Sequence, residues 1–289
     1  MHTRVSLREV TLCAADSLNP PLAGRALAAS LRHCEFGEAI LFSDAVIEGP
    51  FRSVKIPRLD SLADYSRFVV KGLADRIATP FALVVQWDGY VVDSAAWLPE
   101  FLHYDYIGAT WPWVADGYRV GNGGFSLRSR RLMEAGADPR ICLDPAVNED
   151  MILCRRFRPL LERELGVHFA PVGIAERFSY ERAAPAGATF GFHGLFNLWR
   201  HESEEELVEV VARLHPRALE GEGYGLLLGH CFGRGRPDAA AALYARLRAT
   251  LSPAEIETRL AAAIQERDFN ARCVLECEKR FAAAPVVKA

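Results

Sequence analysis

No stretch of this sequence approaches the roughly 18 consecutive apolar residues that a bilayer span needs. Neither sign of charge dominates: 34 Lys and Arg face 37 Asp and Glu, for a formal net charge of −3. That balance excludes the broad basic footprint of a nucleic-acid-binding or anionic-membrane surface. The first ten residues carry Arg4, Arg8 and Glu9 with no apolar segment behind them, so no secretory leader is expected. CxxC pairs are missing. The seven cysteines, at 13, 34, 142, 154, 231, 273 and 277, are odd in number and scattered, and read as reduced thiols of a cytoplasmic protein. Cys273 and Cys277 share a helix face, where packing explains them better than a metal site without further ligands. The P-loop ending and the GxGxxG dinucleotide fingerprint are absent too.

What is present is ordinary globular material in two textures. Half of the 289 residues are apolar and a quarter are charged. Up to about residue 200, short apolar runs alternate with helical patterns and Gly/Pro turns. Strands are expected at 10–15, 38–44 and 81–89, with helices from Pro20 to Leu31 and over 61–77. Alternation of this kind points to βαβ units, a largely parallel sheet and ligand binding at the carboxyl ends of its strands. From 201 to 289 the periodicity is helical only. Ser203 with Glu206 and Ser252 with Glu255 make capping boxes, and further helices are expected at 224–232, 239–251 and 270–281. Stacked helical hairpins follow from these. The Gly-Arg-Gly-Arg turn at 233–236 reads as a solvated loop.

Four stretches of the first part carry groups able to do chemistry. Gln-Trp-Asp-Gly at 86–89 places Asp88 at a strand end, where a carboxylate can hold a hard cation; taken alone, a plain turn explains it better. The run 120–129 reads Val-Gly-Asn-Gly-Gly-Phe-Ser-Leu-Arg-Ser. Its glycines permit close approach of a ligand or of another backbone, and Ser126 or Ser129 can cap a following helix. Asn148, Glu149 and Asp150 open a helix, which acids stabilise through the macrodipole; one of them can also act as a general base. His193, between Gly191-Phe192 and Gly194, offers a ring nitrogen to a metal or merely packs.

In their order along the chain these stretches resemble GT-A fold glycosyltransferases. Asp88 corresponds to the last acid of the DxD motif, Glu149-Asp150 to the xED motif and His193 to the carboxy-terminal metal-binding His. A closer resemblance is to a family of bacterial and fungal glycosyltransferase-like proteins long catalogued as a domain of unknown function. It covers about residues 8–200. It includes Tyr104 to Ala109 before Trp111-Pro112, Phe169-Ala170-Pro171 and Phe190 to Gly194. It also includes Gln-x-Asp-Gly at 86–89, although Gln86 departs from the GT-A motif, standing where a full DxD has its first acid.

The resemblance implies a Rossmann-like, mixed but mostly parallel sheet flanked by helices over 1–200; the all-α helical-hairpin extension over 201–289 lies outside it and is expected from the helical periodicity alone. It implies transfer of a sugar from a nucleotide-diphosphate sugar to a hydroxyl of a glycan, polysaccharide or lipopolysaccharide; with no membrane anchor expected, such an enzyme would work in the cytoplasm or at the inner membrane face. Asp150 would be the base of an inverting reaction. Asp88 and His193 would hold Mn²⁺ or Mg²⁺. Donor contacts would come from Ala14, Asp44, Tyr65, Arg67, Lys71, Gln86, Trp87, Asp88 and Gly89. Trp111, Asn122, Gly123, Gly124 and Glu149 would meet the acceptor, with Trp113 a second aromatic face for a sugar ring. Two alternatives stand beside this. A nucleotidyltransferase would want a Gly-rich, basic loop after the first strand, where residues 14–20 read Ala-Ala-Asp-Ser-Leu-Asn-Pro. A non-enzymatic binding protein would use the helical region as its working surface.

Overall fold

The first strand starts earlier than its apolar run suggests. In the computed structural model, which describes residues 4–283, β1 spans Val5–Ala15. Asp16 then turns the chain, its Oδ1 accepting the N–H of Leu18 at 2.7 Å and of Asn19 at 2.6 Å. Helix α1 (Pro20–His33) opens on two prolines, where a missing N–H costs nothing, and closes on Arg32 and His33, which suit the negative end of the dipole. β2 (Cys34–Ser43) follows with no intervening loop, and β3 (Arg52–Lys55) is an edge strand.

The helix expected over 61–77 is regular only as α2 (Leu62–Arg67), capped by Ser61, whose Oγ accepts from the N–H of Asp64 at 3.1 Å. Residues 68–72 widen into a π turn. Packing overrides propensity here: Val69 and Val70 are buried and the Phe68 ring lies 5.1 Å from that of Phe42. β4 (Phe81–Val85) is shorter than the apolar run implies. The chain leaves the sheet at Gln86, and Gly89 closes a turn by donating its N–H to the carbonyl of Gln86 at 3.2 Å.

β5 (Tyr106–Ile107) and β6 (Phe125–Ser129) complete a six-stranded sheet of order β3-β2-β1-β4-β6-β5. The pairs β3/β2, β2/β1 and β1/β4 are parallel, whereas β6 runs antiparallel to both β4 and β5. Ser129 caps α3 (Arg130–Gly136) by accepting from the N–H of Leu132 at 3.2 Å. Ser126 instead donates to the carbonyl of Gly123 at 3.1 Å. Next come α4 (Glu149–Met151), a π turn over 152–156, α5 (Arg158–Arg163), α6 (Val172–Phe178) and a two-stranded parallel sheet of β7 (Ser179–Tyr180) and β8 (Gly191–Phe192). The architecture is therefore mixed α/β, with a mostly parallel sheet and flanking helices. Strand order reverses between β1 and β4, and their carboxyl ends mark the crevice where such sheets bind ligands.

Aromatic side chains fix the small sheet beneath that crevice. Phe178 of α6 packs on Phe101, Phe125 and Phe190 with ring centres 5.2, 5.3 and 5.9 Å away, and Trp97 meets Phe190 at 4.8 Å. An isolated antiparallel bridge joins Val91 to Gly191. The turn after β4 is thereby tied to the strand that carries His193.

The chain divides into two compact units, Met1–His193 and Gly194–Ala289. The second is helical: α7 (Glu204–Arg213), α8 (Glu222–Gly233), α9 (Pro237–Arg248), α10 (Pro253–Ala263) and α11 (Arg267–Ala283). Both capping boxes form, at Ser203 with Glu206 and at Ser252 with Glu255. Cys273 and Cys277 are buried free thiols, and Gly235 takes the left-handed φ of 67° that turns α8 into α9. No helix among the described residues is long and apolar enough to cross a membrane.

Candidate active site

A cleft of about 430 Å³ opens in the first unit at the carboxyl end of β4. Four segments far apart in sequence supply its floor and walls: Gln86 after β4, residues 122–124 before β6, residues 148–151 around α4, and Glu181, Arg182 and His193 at the ends of β7 and β8. Leu62 and Tyr65 enter from α2, and Trp111 and Trp113 from the segment before the glycine loop. That segment is held by Arg155 of the π turn, which donates to Asp116 at 2.6 and 2.8 Å and to the carbonyl of Tyr118 at 3.1 Å.

The glycines of the loop are required by what lies against them. A Cβ on Gly121 would fall 2.1 Å from the Trp111 ring, one on Gly123 1.7 Å from Oε1 of Glu149, and one on Gly124 2.1 Å from Nε2 of His193. Between them Asn122 sits at φ 63°, the single positive-φ non-glycine among the described residues. Asn is among the few side-chain-bearing residues that tolerate this conformation.

Beneath the loop, Arg128 and Glu149 form an ion pair at 2.9 Å with side chains 1% and 4% exposed. Arg128 also donates to Oγ of Ser126 at 2.9 Å and to the carbonyl of Gly123 at 3.4 Å. Burial pushes the Glu149 carboxyl up while Arg128 pulls against it; the guanidinium stays charged. Asp150, next in sequence, faces the cleft. Its Oδ2 accepts the N–H of Gly123 at 3.1 Å and its Oδ1 that of Met151 at 2.7 Å. Burial raises its pKa against these two bonds, which makes it a stronger proton acceptor than an exposed Asp.

His193 is gripped on both sides. Its Nε2 lies 3.3 Å from Oδ1 of Asp88 and 3.1 Å from Oε1 of Gln86. Its Nδ1 lies 3.3 Å from Oε1 of Glu181 and 3.1 Å from the Asn122 amide. Burial alone would lower the imidazole pKa, but the Asp88 and Glu181 carboxylates outweigh it and raise it to about 10. Gln86 is held from its other end too, donating from Nε2 to the Tyr65 hydroxyl at 2.9 Å.

Among the described residues, no group of three His, Cys, Asp or Glu side chains makes a ready metal centre. The donor set that does converge is one imidazole nitrogen, one carboxylate oxygen and one amide oxygen. Ligands held about 2.1 Å from a small divalent cation stand roughly 3 Å apart, and both oxygens lie at that distance from Nε2. A cation resting on them would keep positions open for substrate oxygens, so the residues fit an ion shared with a phosphate-bearing ligand. Gln86 contributes an uncharged oxygen to that set.

Several residues expected at the site lie outside the cleft. Ala14 is buried in β1. Asp44 follows β2 and is paired to Arg58 at 2.9 Å; burial pushes its carboxyl up, but hydrogen bonds from Ser17 and Arg58 outweigh it and hold the group below the ordinary range. Arg67 and Lys71 line a separate groove with Arg58, Phe68 and Arg76 on the opposite face of α2. Trp87, Asp88 and Gly89 do not border the cleft; Asp88 is buried and reaches the site through His193. The site also holds groups that the motifs left without a role. Arg128 is one, and a charged residue within a short strand was the available signal. Glu181 is the other, with no local signal. Asp16, turning the chain at the end of β1, has its pKa raised to about 6 by burial and further by Asp88 and Asp44.

A family model described as a protein of unknown function (DUF5672) matches residues 50–193, which ends at His193. No curated protein matches the chain. Among solved structures, the mannosyltransferase PcManGT from Pyrobaculum calidifontis, in complex with GDP-Man and Mn²⁺, is similar at 12% identity, over 96% of this chain and 87% of that one, with a TM-score of 0.41.

Proposed function

We propose that this chain is an inverting glycosyltransferase of GT-A type that moves a sugar from a nucleotide-diphosphate sugar to an acceptor hydroxyl. The observation that carries the reading is convergence: Gln86, the glycine loop, Asp150 and His193 meet in one cleft at the strand-order reversal. In the proposed reaction the acceptor oxygen attacks the anomeric carbon while the bond to the diphosphate oxygen breaks on the opposite face. The hydroxyl proton passes to Asp150. The Gly123 N–H holds that carboxylate in place, and Glu149, neutralised by Arg128, fixes the loop above it.

Charge supports a cation requirement. Arg182 is the single Lys or Arg lining the cleft among the described residues, and Asp150 and Glu181 oppose it. A diphosphate entering there would meet Arg182 and His193 set against those carboxylates, and a bound cation would supply the positive charge still lacking. Asp88, His193 and Gln86 would hold Mn²⁺ or Mg²⁺, which when bound offsets the charge developing on the leaving diphosphate. The acceptor, a glycan or polysaccharide hydroxyl, would lie against Trp111 and Trp113. Residues 1–200 would form the catalytic domain and 201–289 a helical extension, acting in the cytoplasm or at the inner membrane face.

A thermal-shift screen of nucleotide-diphosphate sugars with and without Mn²⁺ tests this. A ligand at a hundred times its Kd stabilises the folded chain by about 2.7 kcal/mol, a rise of several degrees. The shift should need the cation, and the hit should release nucleoside diphosphate when an acceptor is added. No shift with any donor at millimolar concentration would refute the reading and leave the binding-protein alternative.

A further inference from the structure

We infer that Glu181 is the positioning residue of His193: its carboxylate accepts the Nδ1–H and so turns Nε2 toward Asp88 and Gln86, where a bound cation would take the place of the Nε2 proton. This rests on the cation-assisted reading above and names a residue outside every motif that suggested it. The strand register creates the pairing. Ser179 pairs with Gly191 and Tyr180 with Phe192, so residues 181 and 193 leave the two strands side by side. The His193 N–H donates to the carbonyl of Tyr180 at 3.0 Å, which locks the backbone, and Oε1 of Glu181 then stands 3.3 Å from Nδ1. Both side chains are only 14% exposed, so water competes little for the bond.

The two ring nitrogens are not equivalent. Nε2 has two oxygen donors beside it, Gln86 Oε1 at 3.1 Å and Asp88 Oδ1 at 3.3 Å, with the spacing of ligands to one small ion. Nδ1 faces the Glu181 carboxylate instead. At 3.1 Å it also meets Nδ2 of the Asn122 amide, whose buried Oδ1 has no hydrogen-bond partner. Turned over, that amide presents Oδ1 as a second acceptor for the same proton. A histidine that binds a metal through one nitrogen while giving its other N–H to a carboxylate is held in tautomer and orientation, and losing the carboxylate commonly weakens metal binding about 10–100-fold.

The test measures Mn²⁺ binding to the full chain by electron paramagnetic resonance in the presence of UDP or GDP, for wild type, Glu181→Gln and Glu181→Ala. Glu181→Ala should weaken Mn²⁺ roughly 10–100-fold. Glu181→Gln, which keeps an acceptor oxygen, should fall between it and wild type. Melting temperatures recorded alongside should show all three folded. In the Mg²⁺-loaded wild type, ¹⁵N spectra of His193 should show a protonated Nδ1 and a bare Nε2. Equal Mn²⁺ affinity in wild type and both variants, or a proton on Nε2, overturns the role of Glu181. A wild-type chain that binds no divalent cation overturns the cation reading itself.

Discussion

Glu149→Gln isolates the charge of the buried pair, because it keeps shape and one acceptor oxygen while removing the countercharge of Arg128. The pair is 2.9 Å long with both side chains at least 96% buried. Arg128 cannot shed its proton to escape. Removing one partner of such a pair costs about 3–5 kcal/mol, since the other charge stays desolvated. Here neutral dipoles soften the loss: Ser126 Oγ, the Gly123 carbonyl and the face of Tyr106, 5.7 Å from the guanidinium, all remain. The expected cost is therefore near the lower end, about 3 kcal/mol. For a unit of this size that lowers the melting temperature by roughly 6–12 °C. Urea unfolding and calorimetry on the full chain read it out, in the transition that belongs to the first unit. Adding Arg128→Met to Glu149→Gln should recover part of the loss, because it removes the stranded charge. A loss below about 1 kcal/mol in the single variant, or a deeper loss in the double one, would refute the reasoning.

Other outcomes follow from the same geometry. Asp150→Asn should cut transfer by about 10²–10⁴-fold, the usual worth of a positioned base, with nucleotide binding unchanged in a fluorescence titration; a loss under tenfold removes Asp150 from that role. Gly124→Ala places a Cβ 2.1 Å from His193 Nε2, so it should cost about 1–3 kcal/mol by overpacking and displace the ring, seen as weakened Mn²⁺ binding. His193 has a folded pKa of about 10, above its ordinary 6.5. Its stabilising contribution is thus complete below pH 6.5 and lost as pH rises through 10; urea titrations from pH 6 to 10.5 should slope downward in wild type and less so in His193→Gln. Trp113, 61% exposed, should tolerate change to Ala within about 0.5 kcal/mol while the acceptor KM rises and the donor KM does not.

Features encoded in a few neighbouring residues were legible in the sequence. Both capping boxes and the prolines opening α1 need only side chains three or four positions apart. The alternation of strands and helices was legible for the same reason, as was the order of the Asp88, glycine-loop, Glu149-Asp150 and His193 stretches. What failed was governed by distant packing. The helix over 61–77 breaks at Phe68 because buried Val69 and Val70 answer to the sheet, not to helical propensity. The strand at 81–89 stops at Val85 because the next residues are claimed by Gly124 and by a turn. Arg67 in the helix of Tyr65 and Lys71 in the π turn after it line another groove, a distinction of faces that a list of polar residues does not make. Glu181 was invisible because two-residue strands leave no periodicity and its partner stands twelve positions away.

That same register separates how the site is held from what the site can be offered. Residues 182–188 join two strands whose partnership is complete without them, and most of them are exposed. Such connections accept insertions and exchange readily. The segment can lengthen or change composition at the rim of the cleft while Glu181 and His193 keep their spacing. Diversification within this architecture has an obvious place to happen, and an engineer seeking a new acceptor should randomise there before touching a glycine.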